Sequence, residues 1–195
     1  MATQPFKNVD IKYRDQDCKV YFTIDDLENF PEYPAGPLLE LQKGELFVVP
    51  SPTTHHQAVS LEIAHQIKSF LDEHPFGTVF TAPIDVILSD ENCIIPDIVY
   101  IKENNNDIIK EKNILGVPDF IIEIASSNRK RDFVDKKELY EQFGIPEYWI
   151  IDLNEEKIFV YRHIENKGYS DPKIYQFGDS IPLSAITDLN ITIKL

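Results

Sequence analysis

The segment FIIEIA, from Phe120 to Ala125, constrains this chain more than any other stretch. Its apolar residues follow one another without polar alternation, which is typical of a strand buried on both faces of a sheet. Such a sheet needs other elements packed on both sides, so the segment predicts an α/β protein. The exception within the run is Glu123, a carboxylate in a place where apolar side chains are expected.

Other patterns along the chain predict a central mixed sheet flanked by helices, with extra β-hairpins. The predicted elements are a short helix capped by Thr23, a hairpin turning at 43–44, a helix over 54–72, strands over 79–88 and 93–101, a helix over 132–143 and a hairpin around 154–156. We expect a single domain over 1–195, made of an irregular N-terminal segment (1–22), a core (23–165) and a C-terminal extension (166–195).

Composition limits the possible functions. Nineteen basic and 33 acidic residues give a net charge of −14, which argues against a non-specific nucleic-acid coat protein because the chain repels polyanions. A metal-assisted nucleic-acid enzyme stays open, since a metal ion and a local patch can override net charge. Two cysteines, Cys18 and Cys93, cannot build a disulfide framework or a thiolate metal site. Without a secretory signal or an apolar run of about 20 residues, we expect a cytoplasmic protein with no membrane span.

Two carboxylates lie in apolar strands. Asp97 lies within IIPDIVYI, where alternation places it on the same face as Val99, and Glu123 shares a face with Ile121. A carboxylate in such a place must be paired, protonated or metal-bound, because its desolvation alone costs several kcal/mol. Two of them on neighbouring strands could share Mg²⁺ or Mn²⁺. The alternative for either one is a strand-end acid that faces solvent.

Lys136 falls near the middle of the apolar stripe of the predicted helix over 132–143. A lysine in that position usually extends to solvent or meets an acid, and the nearest candidate acid is Glu123. The alternative is an ordinary helical pair between Lys136 and Asp132, four residues apart. Lys137 falls toward the edge of the stripe.

A short basic run, Arg129-Lys130-Arg131, lies between Glu123 and this helix and suggests contact with phosphate groups. An ordinary solvated loop explains the run equally well. His56 at the start of the long helix and Glu45 in the preceding strand could bind metal or transfer protons. Histidines at a helix start are, however, often simple surface residues.

The order of these motifs resembles the second Uma family, a group of bacterial restriction-endonuclease-like proteins in the PD-(D/E)xK nuclease superfamily. The resemblance covers about Thr23 to Arg162. The segments that carry it are GELFVVPSPTTHH, IIPDIVYI and PDFIIEIASSNRKRDFVDKKELYEQFGIPEYWIIDL. It implies a restriction-endonuclease-like fold.

The resemblance also implies residue roles. Asp97 takes the place of the first motif acid and Glu123 that of the second, and both would hold the metal ion. The superfamily pattern asks for a lysine two residues after the second acid, where this chain has Ala125. The resemblance implies that members of the family supply the lysine from the following helix, where Lys136 takes that place in this chain.

These observations predict a Mg²⁺- or Mn²⁺-dependent endonuclease that hydrolyses DNA, with Asp97, Glu123 and Lys136 as catalytic residues. Glu45, His56, Asp132 and Lys137 are possible accessory residues, and Arg129, Lys130 and Arg131 would contact nucleic acid. A homodimer is plausible because many enzymes of this fold cut two strands as dimers. Two alternatives remain open: an inactive nuclease-fold module for binding or oligomerisation, and a hydrolase of small phosphoesters.

Overall fold

The computed structural model describes residues 12–14, 19–29, 38–125 and 130–194. Its three α-helices are α1 (Ile24–Glu28), α2 (Thr54–Glu73) and α3 (Lys136–Gln142). Its strands are β1 (Lys12–Arg14), β2 (Lys19–Tyr21), β3 (Leu38–Gln42), β4 (Glu45–Val49), β5 (Gly77–Thr81), β6 (Asp85–Ser89), β7 (Asn92–Ile94), β8 (Ile98–Lys102), β9 (Asn113–Leu115), β10 (Phe120–Ile124), β11 (Glu147–Asp152), β12 (Lys157–Ile164), β13 (Gly168–Tyr169), β14 (Lys173–Gln176), β15 (Ile181–Pro182) and β16 (Asn190–Ile191).

The central sheet is mixed, as predicted. It runs in the order β13-β12-β11-β10-β8-β5, and β14 also pairs with β12. Strands β10 and β11 are parallel, and the other pairs in this sheet are antiparallel. All five residues of β10 are buried, which confirms that the FIIEI run lies inside the sheet.

Hydrophobic side chains cover both faces of this sheet. On one face, Ile98, Ile122 and Trp149 pack with α2 and with the segment over 181–193. On the other face, Val99, Ile121 and Ile150 pack with α3 and with a second sheet of order β4-β3-β7-β6-β9. Glu123 is next but one to Ile121 on β10, so its side chain lies on the face that the second sheet and α3 cover.

The region over 79–101 differs from the two long strands that the sequence predicted. Each predicted strand is divided in two, near Pro83 and near Pro96, and the pieces belong to different sheets: β5 pairs with β8, whereas β6 pairs with β7. Proline cannot donate a hydrogen bond to a neighbouring strand, which favours a break at these positions. As a consequence, Asp97 lies just before β8 rather than inside a continuous strand.

The helices begin and end largely where the sequence indicated. Thr23 caps α1 through a capping box with Asp26, and the Thr53 hydroxyl accepts a hydrogen bond from the His56 amide at the start of α2. The predicted helix over 132–143 opens instead with a π-helical turn, Arg131–Asp135, followed by α3. Gly144 ends it with a φ of 71°, a conformation that favours glycine.

The chain ends depart from the predicted subdivision in two respects. Strands β1 and β2 pair antiparallel within the segment expected to be irregular. The residues expected to form a C-terminal extension contribute Ile181, Leu183 and Ile193 to the main hydrophobic core. The latter segment is therefore an integral layer of the fold.

Candidate active site

Asp97 is held at the end of β10 by the backbone. Ile98, the first residue of β8, pairs with Ile122 of β10. Two residues further along β10, the Ile124 amide donates to Asp97 Oδ2 at 2.7 Å. The side chain thus continues the hydrogen bonding where the β8 backbone turns away. This contact brings the Asp97 carboxylate next to the residue that follows Glu123, as the two-carboxylate hypothesis requires.

Glu123 is fully enclosed, with 4% of its surface exposed. Its Oε1 accepts two hydrogen bonds, one from Lys136 Nζ at 2.7 Å and one from the Tyr140 hydroxyl at 2.5 Å. Both donors lie on α3, four residues apart, so they share one face of that helix. The predicted contact between Glu123 and Lys136 is therefore present, and the Lys136 ammonium points into the core.

A third carboxylate, Glu40 on β3, completes the arrangement around Lys136. Its Oε1 lies 3.1 Å from Lys136 Nζ, and its Oε2 accepts a hydrogen bond from the Arg131 guanidinium. The Ile95 amide donates to Glu40 Oε1 at 2.9 Å. We call the set Glu40, Asp97, Glu123, Arg131 and Lys136 the acidic cluster.

His56, at the start of α2, faces the same cluster from the opposite layer. Its Nε2 lies 3.2 Å from Asp97 Oδ2. The predicted accessory histidine is thus next to the first motif acid.

The ionisable groups of the cluster shift one another strongly. Burial raises the pKa of the Glu123 carboxyl to about 8; Lys136 opposes this shift, and the charges of Asp97 and Glu40 add to it. Burial by itself lowers the pKa of Lys136, but the surrounding carboxylates outweigh burial and raise that pKa above its ordinary value. The pKa of His56 is likewise raised, because Asp97 outweighs the effect of burial.

The other predicted residues occupy different surroundings. Arg131 is buried against Glu40 with its guanidinium 4.7 Å from the centre of the Phe47 ring, whereas Lys130 is exposed and pairs with Asp135 at 2.9 Å. Arg129 lies outside the described residues. Contact of these three basic residues with nucleic acid stays a prediction.

The remaining accessory candidates are divided between the cluster and its margins. Asp132 is buried, its carbonyl accepts from the Tyr148 hydroxyl at 3.2 Å, and its charge acts on His56. Glu45 lines a shallow cavity of about 260 Å³ beside Phe47, together with Lys130. Lys137 points away from the cluster, with its Nζ 5.5 Å from the centre of the Tyr161 ring.

The donor set fits a hard divalent cation. Four acidic side chains lie beside two basic ones, and His56 adjoins them through Asp97. The acids are Glu40, Asp97, Glu123 and Asp132, and the bases are Arg131 and Lys136. Across 12–14, 19–29, 38–125 and 130–194, no group of three His, Cys, Asp or Glu side chains has the geometry of a ready metal site. Mg²⁺ is often bound by one or two carboxylates plus water and substrate phosphate, so two protein ligands suffice.

Sequence reasoning missed Glu40 and the role of Tyr140. Glu40 lies in the apolar strand LLELQ, where it gave the same signal as Glu123: a carboxylate inside an apolar run. Tyr140 falls on the apolar stripe of the helix, and its ring is buried against Tyr148 while its hydroxyl binds Glu123. The Arg131 partner of Glu40 is 91 positions away in the sequence.

Comparison with known proteins identifies the family of this chain. The sequence profile of the Uma2 family, described as "Putative restriction endonuclease", matches residues 24–194. The chain belongs to the Uma2 family. The resemblance noted from its motifs is therefore confirmed.

A solved structure supports the fold. The chain matches the crystal structure of "a putative nuclease belonging to DUF820" from Anabaena variabilis with a TM-score of 0.70 and 23% sequence identity, covering 88% of this chain and 94% of that one. The restriction-endonuclease-like fold is thus confirmed. The search of curated proteins found no match. In the described part of the chain, no helix is long and apolar enough to cross a membrane.

Proposed function

We propose that this Uma2 protein is an endonuclease that hydrolyses DNA phosphodiester bonds with the help of Mg²⁺ or Mn²⁺. One observation carries the proposal: Lys136 Nζ donates to Glu123 Oε1 at 2.7 Å, and Asp97 is tied to the next residue of the same strand. Two acids and a lysine from three separate elements therefore meet in one enclosed place. Membership of a family described as restriction endonucleases supports the same reading.

Asp97 and Glu123 would hold the cation. In the described part of the chain, both hydrogen bonds of Glu123 go to Oε1, so we assign Oε2 to the metal. Asp97 keeps one carboxylate oxygen on the Ile124 amide, which fixes the direction of the other. A bound cation would lower the pKa of a coordinated water and neutralise charge on the phosphoryl group.

Lys136 would act as a hydrogen-bond donor beside the reacting phosphate. An ammonium held between two carboxylates remains charged, so we assign it to orienting the water or stabilising transition-state charge rather than to removing a proton. Arg131 would hold Glu40 in place from the buried side. Lys130 is exposed, and its pair with Asp135 is of the weak surface kind, so it is available to follow the phosphate backbone.

Cleavage of supercoiled plasmid DNA tests the proposal. We expect nicked and linear products from the wild type with Mg²⁺ or Mn²⁺, none with EDTA, and none from Asp97→Asn or Lys136→Met. Lys137→Met is the matched control for Lys136→Met, because Lys137 is the next residue on the helix and faces the Tyr161 ring instead of the cluster. Cleavage by Lys136→Met at the wild-type rate would contradict the assignment.

One observation favours a second candidate, an inactive module whose ion pairs only maintain the architecture. Lys136 already balances part of the charge of Glu123, as a purely structural pair would. Calorimetric titration with Mn²⁺ separates the two candidates. Binding that disappears in both Asp97→Ala and Glu123→Ala supports the nuclease, and no binding by the folded wild type supports the inactive module.

A further inference from the structure

Glu40 carries more contacts than any function proposed so far requires. It lies on β3 of the second sheet and is 1% exposed. Its two oxygens receive the Ile95 amide, the Gln42 side chain at 3.2 Å, Arg131 and Lys136. These partners come from β3 itself, from the segment that connects β7 to β8, and from the helical layer. A carboxylate buried with this many donors fixes the relative position of every segment that supplies one.

The π-helical turn explains how two cations reach one carboxylate. In a regular α-helix, residues five apart point in directions about 140° apart. Here the Lys136 amide donates to the Arg131 carbonyl, five residues earlier, so the two residues are one wide turn apart. Their side chains consequently emerge on the same side and both contact Glu40. The turn thus has a geometric effect that a continuous α-helix would not provide.

Glu40 also restrains the loop that carries the first motif acid. Ile95, which donates to Glu40 Oε1 at 2.9 Å, lies two residues before Asp97 with Pro96 between them. The proline limits the backbone freedom of this connection. A single carboxylate therefore links the Asp97 loop to the Lys136 helix.

We propose that Glu40 is a positioning residue that retains Lys136 when a divalent cation binds Glu123, and that fixes Lys136 relative to the Asp97 loop. This inference rests on the proposed function of the same site. Lys136 Nζ lies between two carboxylates, at 2.7 Å from Glu123 and 3.1 Å from Glu40. When the cation draws charge from Glu123, the ammonium still has Glu40 as its partner and does not become a buried, unpaired charge.

The first test observes Lys136 directly in the metal-free protein. The Lys136 ammonium signal is recorded by ¹⁵N–¹H NMR and assigned by its absence from Lys136→Met. We expect Glu40→Gln to shift or abolish this signal, because the ammonium loses one of its two anions. Glu147→Gln is the matched control: Glu147 is an equally buried strand glutamate, 1% exposed, whose partners lie elsewhere. An unchanged Lys136 signal in folded Glu40→Gln overturns the proposal.

Glu40→Asp keeps the test decisive if Glu40→Gln does not fold. The aspartate retains the charge but is one methylene shorter, so it cannot reach Lys136 and Ile95 as Glu40 does. We expect a shifted Lys136 signal in this variant too. A signal identical to that of the wild type would mean that Glu40 does not position the ammonium.

The second test measures the affinity of the protein for Mn²⁺. We expect Glu40→Gln to weaken Mn²⁺ binding by about 10- to 100-fold in calorimetry, in the range of residues that support metal ligands, because Lys136 then competes fully for Glu123. Glu147→Gln should bind as the wild type does. Equal affinity of Glu40→Gln and wild type overturns the retention role. If the wild type itself binds no Mn²⁺, the proposed function fails as well, and the NMR result alone decides whether Glu40 positions Lys136.

Discussion

Glu123 and Glu147 are two buried glutamates of one sheet that have different surroundings. They lie on the adjacent parallel strands β10 and β11, where Glu147 pairs in register with Phe120 and Glu123 pairs with Ile150. Glu147 therefore lies at the start of its strand and Glu123 near the end of its own. The alternation of strand side chains directs the two carboxylates to opposite faces of the sheet.

Their surroundings differ more than their burial does. Glu147 accepts from the Trp149 indole at 2.9 Å, from the Ala185 amide at 3.1 Å and from the Ser184 hydroxyl. These donors are neutral, and they attach the segment before β16 to the central sheet. Glu123 instead lies among groups that titrate, and its pKa is raised to about 8 by burial, against the effect of Lys136, and by the neighbouring acids.

The comparison teaches that the burial of a carboxylate does not by itself distinguish a structural residue from a candidate catalytic one, whereas the chemistry of its neighbours does. Fixed neutral dipoles give Glu147 a stable structural role. The acidic cluster instead contains a carboxyl group whose pKa is strongly perturbed by burial and by neighbouring charges, as is common at functional sites. Paired substitutions at the two positions test this contrast.

The largest expected difference is in catalysis. Glu123→Gln should reduce DNA cleavage on the order of a thousandfold, since loss of a metal ligand removes several kcal/mol of transition-state stabilisation. Glu147→Gln, also an isosteric change of a buried glutamate, should leave the rate per folded molecule near that of the wild type. Rates are measured on plasmid DNA with saturating Mg²⁺. Comparable losses in both variants would show that burial, and not the site, determines the effect.

Stability should respond in the opposite order. Glu147→Gln should lower the free energy of unfolding by about 1–3 kcal/mol, because the amide group cannot accept from all three donors and leaves one of them unsatisfied. Glu123→Gln should cost less, since its oxygen still accepts from Tyr140 while the crowded negative charge is removed. Urea unfolding of the metal-free variants measures both values. A larger loss for Glu123→Gln would identify Glu123 as chiefly structural.

The pH dependence of stability should separate the two residues as well. Because its pKa is raised from the ordinary 4.5 to about 8, Glu123 binds more protons in the native state than in the unfolded state over this range. Stability from this group is therefore fully present below the lower value and is lost as the pH rises through the higher one. The slope from one proton is at most about 1.4 kcal/mol per pH unit.

Glu123→Gln should flatten this decline, whereas Glu147→Gln should retain it. The raised pKa of His56 acts with the same sign, so part of the slope remains in Glu123→Gln. Unfolding is followed from pH 5 to pH 8 in EDTA, which keeps adventitious cations away from the cluster. A wild-type curve whose stability increases over this range would contradict the predicted direction.

The sequence predicted those parts of the fold and site that depend on nearby residues. Glu123 and Lys136 are 13 positions apart, joined by a loop and a helix whose apolar stripe could be read directly, and their contact is confirmed by geometry. The burial of β10 and the helix end at Gly144 follow from equally local patterns. In these cases the periodicity of one element fixes the direction of its side chains.

The parts that the sequence could not predict depend on distant partners. Glu40 and Arg131 are 91 positions apart, so no local pattern indicates that they meet. The π-helical turn is also absent from the pattern, because a stripe of apolar residues does not reveal one inserted residue. Glu147 also adjoins an apolar run, YWII, and only the assembled layers separate a structural carboxylate from a candidate ligand.

The smallest expected effect concerns Arg162, the basic side chain beside Glu147. Arg162 Nη2 lies 3.7 Å from Glu147 Oε1 and donates to the Pro182 carbonyl at 3.2 Å, but 44% of its side chain is exposed. Water and salt screen such a pair, so Arg162→Ala should lower the free energy of unfolding by less than about 1 kcal/mol. The difference from the wild type, measured by urea unfolding, should shrink further as NaCl is added. A loss as large as that of Glu147→Gln would mean that Glu147 depends on a charged partner, as Glu123 does, and the contrast between the two carboxylates would then lie in the number of neighbouring acids alone.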